Sequence, residues 1–180
     1  MDEQTAIRRL KQGDISGLEF LVGCHQAKAV RTAYLITRDP GLAEDIVQES
    51  FIQAYHSIRS FDSTRPFGPW FMRSVVNASV KVMQRSSRQV QVGDQTILDE
   101  IAARAESAEA QAASIELQDQ IWDAMQRLSP RQRAVIVQRY FLDMSEKDMA
   151  VQAGTAVGTI KWLLNAARER LRGLLERSDE

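Results

Sequence analysis

Residues 145–175 constrain the fold more tightly than any other stretch, because two amphipathic helical patterns are separated there by a single short break. Ser145 with Asp148 three residues on reads as a capping-box-like helix start. Gly154 supplies a conformationally free turn, and Thr155 is placed to cap the next helix. In that second helix Val157, Ile160, Leu164, Ala167, Leu171 and Leu174 recur at spacings of three and four, which predicts one buried stripe. Lys161, Asn165, Arg168 and Arg172 form the neighbouring stripe, with donors suited to phosphates and base edges. The pattern is that of a helix-turn-helix. A lone amphipathic helix with a solvated basic face would give the same stripes, so the rest of the chain has to decide.

Its 180 residues allow one ordinary domain or two small ones, and 44% hydrophobic content with three Trp and six Phe permits packed cores. Cys24 stands alone, which excludes an internal disulfide framework and argues against a cysteine-based metal cluster. His25 and His56 fall in different predicted helices without ligand-like neighbours and read as half-buried helix residues; no metal or cofactor is expected. No apolar run approaches bilayer length, and residues 1–11 carry charges where a signal peptide needs a hydrophobic segment. A cytoplasmic protein without membrane insertion is expected. The net charge of −1 conceals an uneven distribution. Residues 1–87 hold eleven Lys/Arg against nine Asp/Glu, residues 88–127 three against eight, and residues 128–180 nine against seven. An acidic middle between two mildly basic ends fits a linker joining two modules that face nucleic acid, and equally an ordinary acidic linker.

No strand pattern longer than the short Val90/Val92 piece appears, so the predicted fold is all-α, with two small helical domains joined by a linker. Helices are predicted over residues 5–12 and 18–36. Asp39 followed by Pro40 is a strong start for a third, running to Ile58, with an N-cap acceptor and a proline at the first helical position. Val47, Phe51, Ala54, Tyr55 and Ile58 make its core stripe, while Asp45, Gln48, Glu49 and Ile52 lie on another side. Asp62, Ser63, Pro66, Gly68 and Pro69 carry loop chemistry, and Pro69 suits the first turn of a fourth helix. In that helix Met72, Val75, Val76, Ser79 and Met83 are placed inward, and Arg73, Asn77, Lys81 and Arg85 recur every four residues on a second basic-polar stripe. Residues 86–99 are mostly polar and mark a domain boundary, and over residues 97–128 no proline or glycine interrupts an Ala- and Glu-rich composition that favours helix. Leu117, Ile121, Met125 and Leu128 make a predicted core seam, and Ser129, Pro130 and Gln132 a capping box with proline at the first helical position.

Enzyme chemistry finds no footing. Local sequence offers no nucleophile with its base and orienter, no glycine-rich phosphate loop and no metal-ligand spacing, so no catalytic residue is assigned. Asp45 and Glu49 sit one helical turn apart, an arrangement commoner on solvated or partner-facing surfaces than in acid–base pairs. Phe67, Trp70 and Phe71 stand beside Arg59, Arg65 and Arg73, a mixture that binds unstacked bases; aromatics near a helix start also commonly pack, and for Trp70 and Phe71 packing is favoured.

Taken together these segments resemble the bacterial RNA polymerase sigma factors of the extracytoplasmic-function group of the sigma-70 family, across nearly the whole chain. Ala43-Glu44-Asp45-Ile46-Val47-Gln48-Glu49-Ser50-Phe51, then Phe61-Asp62, then residues 70–77, are similar to the family's region two. Leu128-Ser129-Pro130-Arg131-Gln132-Arg133, Tyr140-Phe141-Leu142, Ser145, Ala150 and Val157-Gly158-Thr159-Ile160-Lys161 are similar to region four. The resemblance implies region two over residues 1–88, an acidic linker over 89–112, and a helix-turn-helix region four over 113–180. Implied partners are core RNA polymerase, at its clamp coiled coil and flap, promoter DNA, and an anti-sigma factor. On this resemblance Asp45, Gln48 and Glu49 dock on the clamp. The loop from Asp62 to Pro69 receives a flipped base of the minus-ten element, and Arg65, Phe67, Trp70, Arg73, Asn77, Lys81 and Arg85 face that element. Thr159, Lys161, Asn165, Arg168 and Arg172 read the minus-thirty-five element as duplex.

This chain departs from the family pattern at two places. Trp162 and Leu163 follow Lys161 where a small polar residue and an arginine are usual, which leaves three readings open: polar readout is lost there, or Trp162 packs on a neighbouring element, or it meets thymine methyls. Lys81 stands where an acidic residue is common. A helix-turn-helix regulator acting without polymerase is the rival reading; it predicts duplex binding by the chain alone. Sequence leaves open whether the free protein is compact or extended.

Overall fold

A computed structural model of the protein describes residues 1–86 and 120–176, all of its regular structure helical. The N-terminal lobe comprises α1 (Glu3–Lys11), α2 (Ser16–Thr37), α3 (Pro40–Ser57), a 3-10 turn (Ile58–Ser60) and α4 (Phe67–Ser86). The C-terminal lobe comprises α5 (residues 120–126), α6 (Pro130–Ile136) running into a π turn (Val137–Phe141), α7 (Glu146–Ala153) and α8 (Val157–Leu175). The expected linker, residues 89–112, and Leu117 of the expected seam lie outside the described residues.

Local chemistry accounts for most helix boundaries. Each free N-terminal N–H group needs an acceptor, and a short polar side chain just before the helix provides one. Asp2 accepts from Thr5 N at 2.7 Å to open α1, and Asp39 accepts from Leu42 N at 2.9 Å to open α3, with Pro40 behind it. Ser129 and Gln132 exchange side-chain and backbone hydrogen bonds of 3.3 and 3.1 Å, completing the capping box of α6. Ser145 accepts from Asp148 N at 3.1 Å to start α7. That helix ends at Gly154, whose φ of 62° is left-handed, with Gly154 N bonded to Val151 O and Thr155 N to Ala150 O. This six-to-one and five-to-two pairing satisfies the last carbonyls and turns the chain into α8, a geometry only glycine adopts without cost. Contrary to the expectation from sequence, Thr155 does not cap α8. That helix starts at Val157, which puts Ala156 at the N-cap position without a side-chain bond, while the Thr155 backbone N–H closes α7.

The N-terminal core is aromatic: Phe51, Phe61, Phe67 and Phe71 are buried with Ile7, Leu21, Ile46, Val47 and Val75. Gly17 lets α1 lie directly on α2, since a β-carbon there would collide with the backbone oxygen of Ala6. The C-terminal core is aliphatic and follows the expected stripe of α8, with Ile160, Leu164, Ala167 and Leu174 buried and Val157 and Leu171 half-buried. Its cluster also takes in Ile36 of α2 and Val76 of α4, so the described lobes pack into one body.

Three further sequence expectations are corrected. Phe67, placed in the loop from the position of Pro69, is instead the first residue of α4 and is fully buried. Tyr55 is 38% exposed, because the buried arc of α3 centres on Val47, Phe51 and Ala54 and leaves the neighbouring position at its edge. Ile121 is 43% exposed; of the seam described here, Met125 and Leu128 alone reach the core.

Candidate nucleic-acid interface

Three exposed polar surfaces lie on this frame. On α3, burial of Ile46, Val47, Ser50 and Phe51 leaves Asp45, Gln48 and Glu49 outward, together with Ile52. Glu49 accepts from Gln53 Nε2 at 2.7 Å, one turn along. The resulting surface is acidic and partly apolar.

On α4, burial of Met72, Val75, Val76 and Ser79 leaves Arg73, Asn77, Lys81 and Arg85 exposed at every fourth position. This stripe starts beside the loop that precedes α4. In that loop Asp62 accepts from Thr64 N at 3.0 Å and from Thr64 Oγ1 at 2.7 Å, and Arg65 Nε lies 3.4 Å from its other oxygen. These hydrogen bonds from Thr64, aided by the Arg65 and Lys11 cations, hold the Asp62 carboxyl below the usual carboxylate range. Arg65 is exposed and Trp70 half-buried, its ring centroid 4.8 Å from Phe61 and 5.4 Å from Phe67. Trp70 therefore combines packing with a partly open ring, whereas Phe67 has no ring surface to offer a base. The burial of Phe67 removes it from the DNA-facing set expected from sequence.

On α8, Thr159, Lys161, Asn165 and Arg172 are exposed and Arg168 is half-buried. Lys161 Nζ is 3.9 Å from Glu146 of α7; Arg168 donates to Tyr140 Oη at 2.9 Å and to Asn165 Oδ1 at 3.4 Å; Arg172 pairs with Glu169 at 2.8 Å. Exposed pairs of this kind contribute only about 0–1 kcal/mol, so exchanging them for phosphate contacts costs little. Trp162 is 69% exposed on the same helix and so is not packed away on a neighbouring described element. Bordering this face, a groove of about 560 Å³ opens between α5, α6, the π turn and α8, its floor formed by Ile121, Met125, Ile136 and Leu171 and its rim shared with Arg168 and Arg172.

Local patterning gave no sign of the residues that join the lobes. Arg133 is buried and donates from Nη1 to Ile36 O at 2.6 Å and from Nη2 to Leu128 O at 3.2 Å. Burial, with the Arg38 cation nearby, pushes its pKa down to about 10. Tyr34 stacks on Trp122 with ring centroids 5.2 Å apart, and the Arg38 guanidinium lies 5.5 Å from the Trp122 ring. A backbone carbonyl as the partner of an arginine leaves no complementary residue for a sequence reading to find. Among the described residues no cluster of His, Cys, Asp and Glu is placed to hold a metal ion, and no helix is long and apolar enough to cross a membrane.

Comparison with known proteins follows the same division. The family model for Sigma-70 region 2 matches residues 21–89, and that for Sigma-70 region 4 matches residues 118–171. The chain is 30% identical to the RNA polymerase sigma factor NccH of Alcaligenes xylosoxydans xylosoxydans, over 99% of this chain and 96% of that protein. It is 28% identical to the ECF RNA polymerase sigma factor SigW of Bacillus subtilis, over 92% of each. Among solved structures, the sigma factor RpoE of Bartonella quintana, crystallised with the anti-sigma factor NepR, superposes with a TM-score of 0.65 at 26% identity, covering 88% of this chain and 96% of that one. With its acidic α3 face and cationic α4 stripe inside the first matched segment, and its helix-turn-helix inside the second, the chain belongs to the sigma-70 family of RNA polymerase sigma factors, in the extracytoplasmic-function group.

Proposed function

We propose that this sigma factor divides its work as residues 1–88 for core binding and minus-ten opening, 89–112 as linker, and 113–180 for minus-thirty-five recognition. The observation that carries this reading is the presence of two exposed cationic stripes, one on each of two docked lobes, the first of them beside a structured loop. The acidic α3 face of Asp45, Gln48 and Glu49 docks on the polymerase clamp coiled coil. The loop at residues 61–66 receives an unstacked base; Arg65 and the open side of Trp70 border it, and Arg73, Asn77, Lys81 and Arg85 track the strand. Extruding a base costs a few kcal/mol, which stacking and phosphate contacts offset. On α8, Thr159, Lys161 and Asn165 meet base edges in the major groove, and Arg168 and Arg172 meet phosphates. The groove that borders the Arg168 and Arg172 side of α8 accommodates an apolar segment of the polymerase flap. The chain itself has no catalytic activity, acts in the cytoplasm, and is held by an anti-sigma factor, as the RpoE relative was crystallised with one.

Run-off transcription with purified core polymerase on a promoter library tests this. Transcripts that depend on the chain are expected, and charge reversal at Asp45 and Glu49 should abolish them while leaving helical content unchanged. Duplex binding by the chain alone, with no effect on core polymerase, would favour the regulator reading instead.

A further inference from the structure

Both ends of the loop at residues 61–66 are fixed by α1. At the start of the loop Lys11 Nζ donates to Phe61 O at 2.6 Å. At its end Phe67 N, the first backbone donor of α4, is accepted by Glu3 Oε1 at 3.1 Å. The second oxygen of the same carboxylate lies 3.0 Å from His25 Nε2 of α2, and the His25 ring is packed 5.4 Å from the Phe67 ring. Glu3 and Lys11 are eight residues apart, a rise of about 12 Å along one rigid helix. That helix is seated on α2 through Gly17, where a side chain would collide with backbone. The ends of the loop are therefore held at a separation set by α1, and the Asp62–Thr64 turn shapes what lies between.

A loop that must accept an extruded base has to be formed before the base arrives, because ordering it afterwards adds to a cost that is already a few kcal/mol. We propose that α1 is a preorganising strap for this loop, with Glu3 and Lys11 as positioning residues for minus-ten opening; this rests on the assignment of the loop to the unstacked base. Neither residue needs to touch DNA. Glu3 acts as an acceptor that fixes where α4 begins, and His25 holds that acceptor in place. Lys11 fixes the carbonyl at which the 3-10 turn releases the chain.

Permanganate reactivity of promoter thymines in the holoenzyme, read beside core affinity and upstream protection, tests the strap. Glu3→Ala and Lys11→Met should each lower the melted fraction about ten-fold, the effect of losing one charge-assisted hydrogen bond, with core affinity and upstream protection unchanged. Glu3→Gln, whose amide oxygen still accepts from Phe67 N, should restore most of the melting. Arg9→Ala, on the exposed side of α1, should melt as the parent does. Normal melting in both Glu3→Ala and Lys11→Met would overturn the proposal, as would a Glu3→Gln variant no better than Glu3→Ala, or parallel loss of core affinity. Failure of the unaltered holoenzyme to melt any promoter it protects would instead overturn the loop assignment itself.

Discussion

The two lobes are built on different principles. The N-terminal lobe has an aromatic core supplied by its own helices, with Phe51 stacked on Phe71 at 4.2 Å and Phe71 on Phe67 at 5.6 Å. Its described buried hydroxyls are all accounted for: Thr32, Thr37, Ser50 and Ser79 each donate to the carbonyl one turn back, at 2.7, 2.9, 2.7 and 2.8 Å. The C-terminal lobe has a thinner aliphatic core that includes Ile36 and Val76 from its neighbour. At the join, Arg38 Nε, Trp122 Nε1 and Arg133 Nε are buried without a hydrogen-bond partner among the described residues. Arg38 also holds a left-handed φ of 66° there, a conformation that costs a non-glycine residue roughly 1–2 kcal/mol. One lobe thus draws its core almost wholly from its own helices, with Leu142 packed against it from across the join, and the other gains stability from a docking contact that itself carries uncompensated polar groups. Such a join holds the free chain together without being expensive to open.

The largest expected effect falls on the N-terminal lobe. Phe67→Ala and Phe71→Ala each empty a fully buried site and should cost about 3–5 kcal/mol. Because Ile36 and Val76 would lose their framework, both lobes should lose stability together, seen as one shifted transition in thermal unfolding. Independent transitions would break the claim that the C-terminal core leans on the N-terminal one.

Arg133→Ala comes next. It leaves the carbonyls of Ile36 and Leu128 without their donor, offset in part by relief of a buried cation, so a cost of about 2 kcal/mol is expected. Hydrogen exchange should localise that cost to α6–α8, leaving the α1–α4 amides protected as before.

A smaller effect sharpens the same contrast. A double-mutant cycle of Tyr34→Leu and Trp122→Leu should return a coupling of about 1 kcal/mol from their stacking. Binding of core polymerase should abolish the coupling if the join opens in the holoenzyme; an unchanged coupling would mean that the lobes stay docked.

The smallest effect concerns acid. Because the Asp62 carboxyl is held low by Thr64, its contribution to the loop is present above the ordinary carboxyl pKa and is lost only as pH falls through the lowered native value. Loop amides, followed by NMR, should therefore hold their shifts through the mildly acidic range and move only well below it.

What sequence made legible, and what it missed, follows the range of the interactions. Caps at Asp39, Ser129 and Ser145, the turn at Gly154 and the stripe of α8 are set by residues within four positions of one another. The exposed placement of Asp45, Gln48 and Glu49, of Arg73, Asn77, Lys81 and Arg85, and of Lys161 and Asn165 follows from the same periodicity. Phe67 was misplaced because proline is tolerated throughout a first helical turn, and the group that fixes the start of α4 is Glu3, sixty-four positions away. The join was invisible because its central bond runs from a side chain to a carbonyl ninety-seven positions distant. Distance in sequence, rather than weakness of the contact, marks the boundary.

Footprinting of one promoter by the chain alone, by core polymerase alone and by the two together is the most direct test of the account. The holoenzyme is expected to protect two separated elements, with permanganate-reactive thymines only at the downstream one, while either component alone gives neither pattern. Equal protection of the upstream element by the chain alone, with no melting after core polymerase is added, would contradict it.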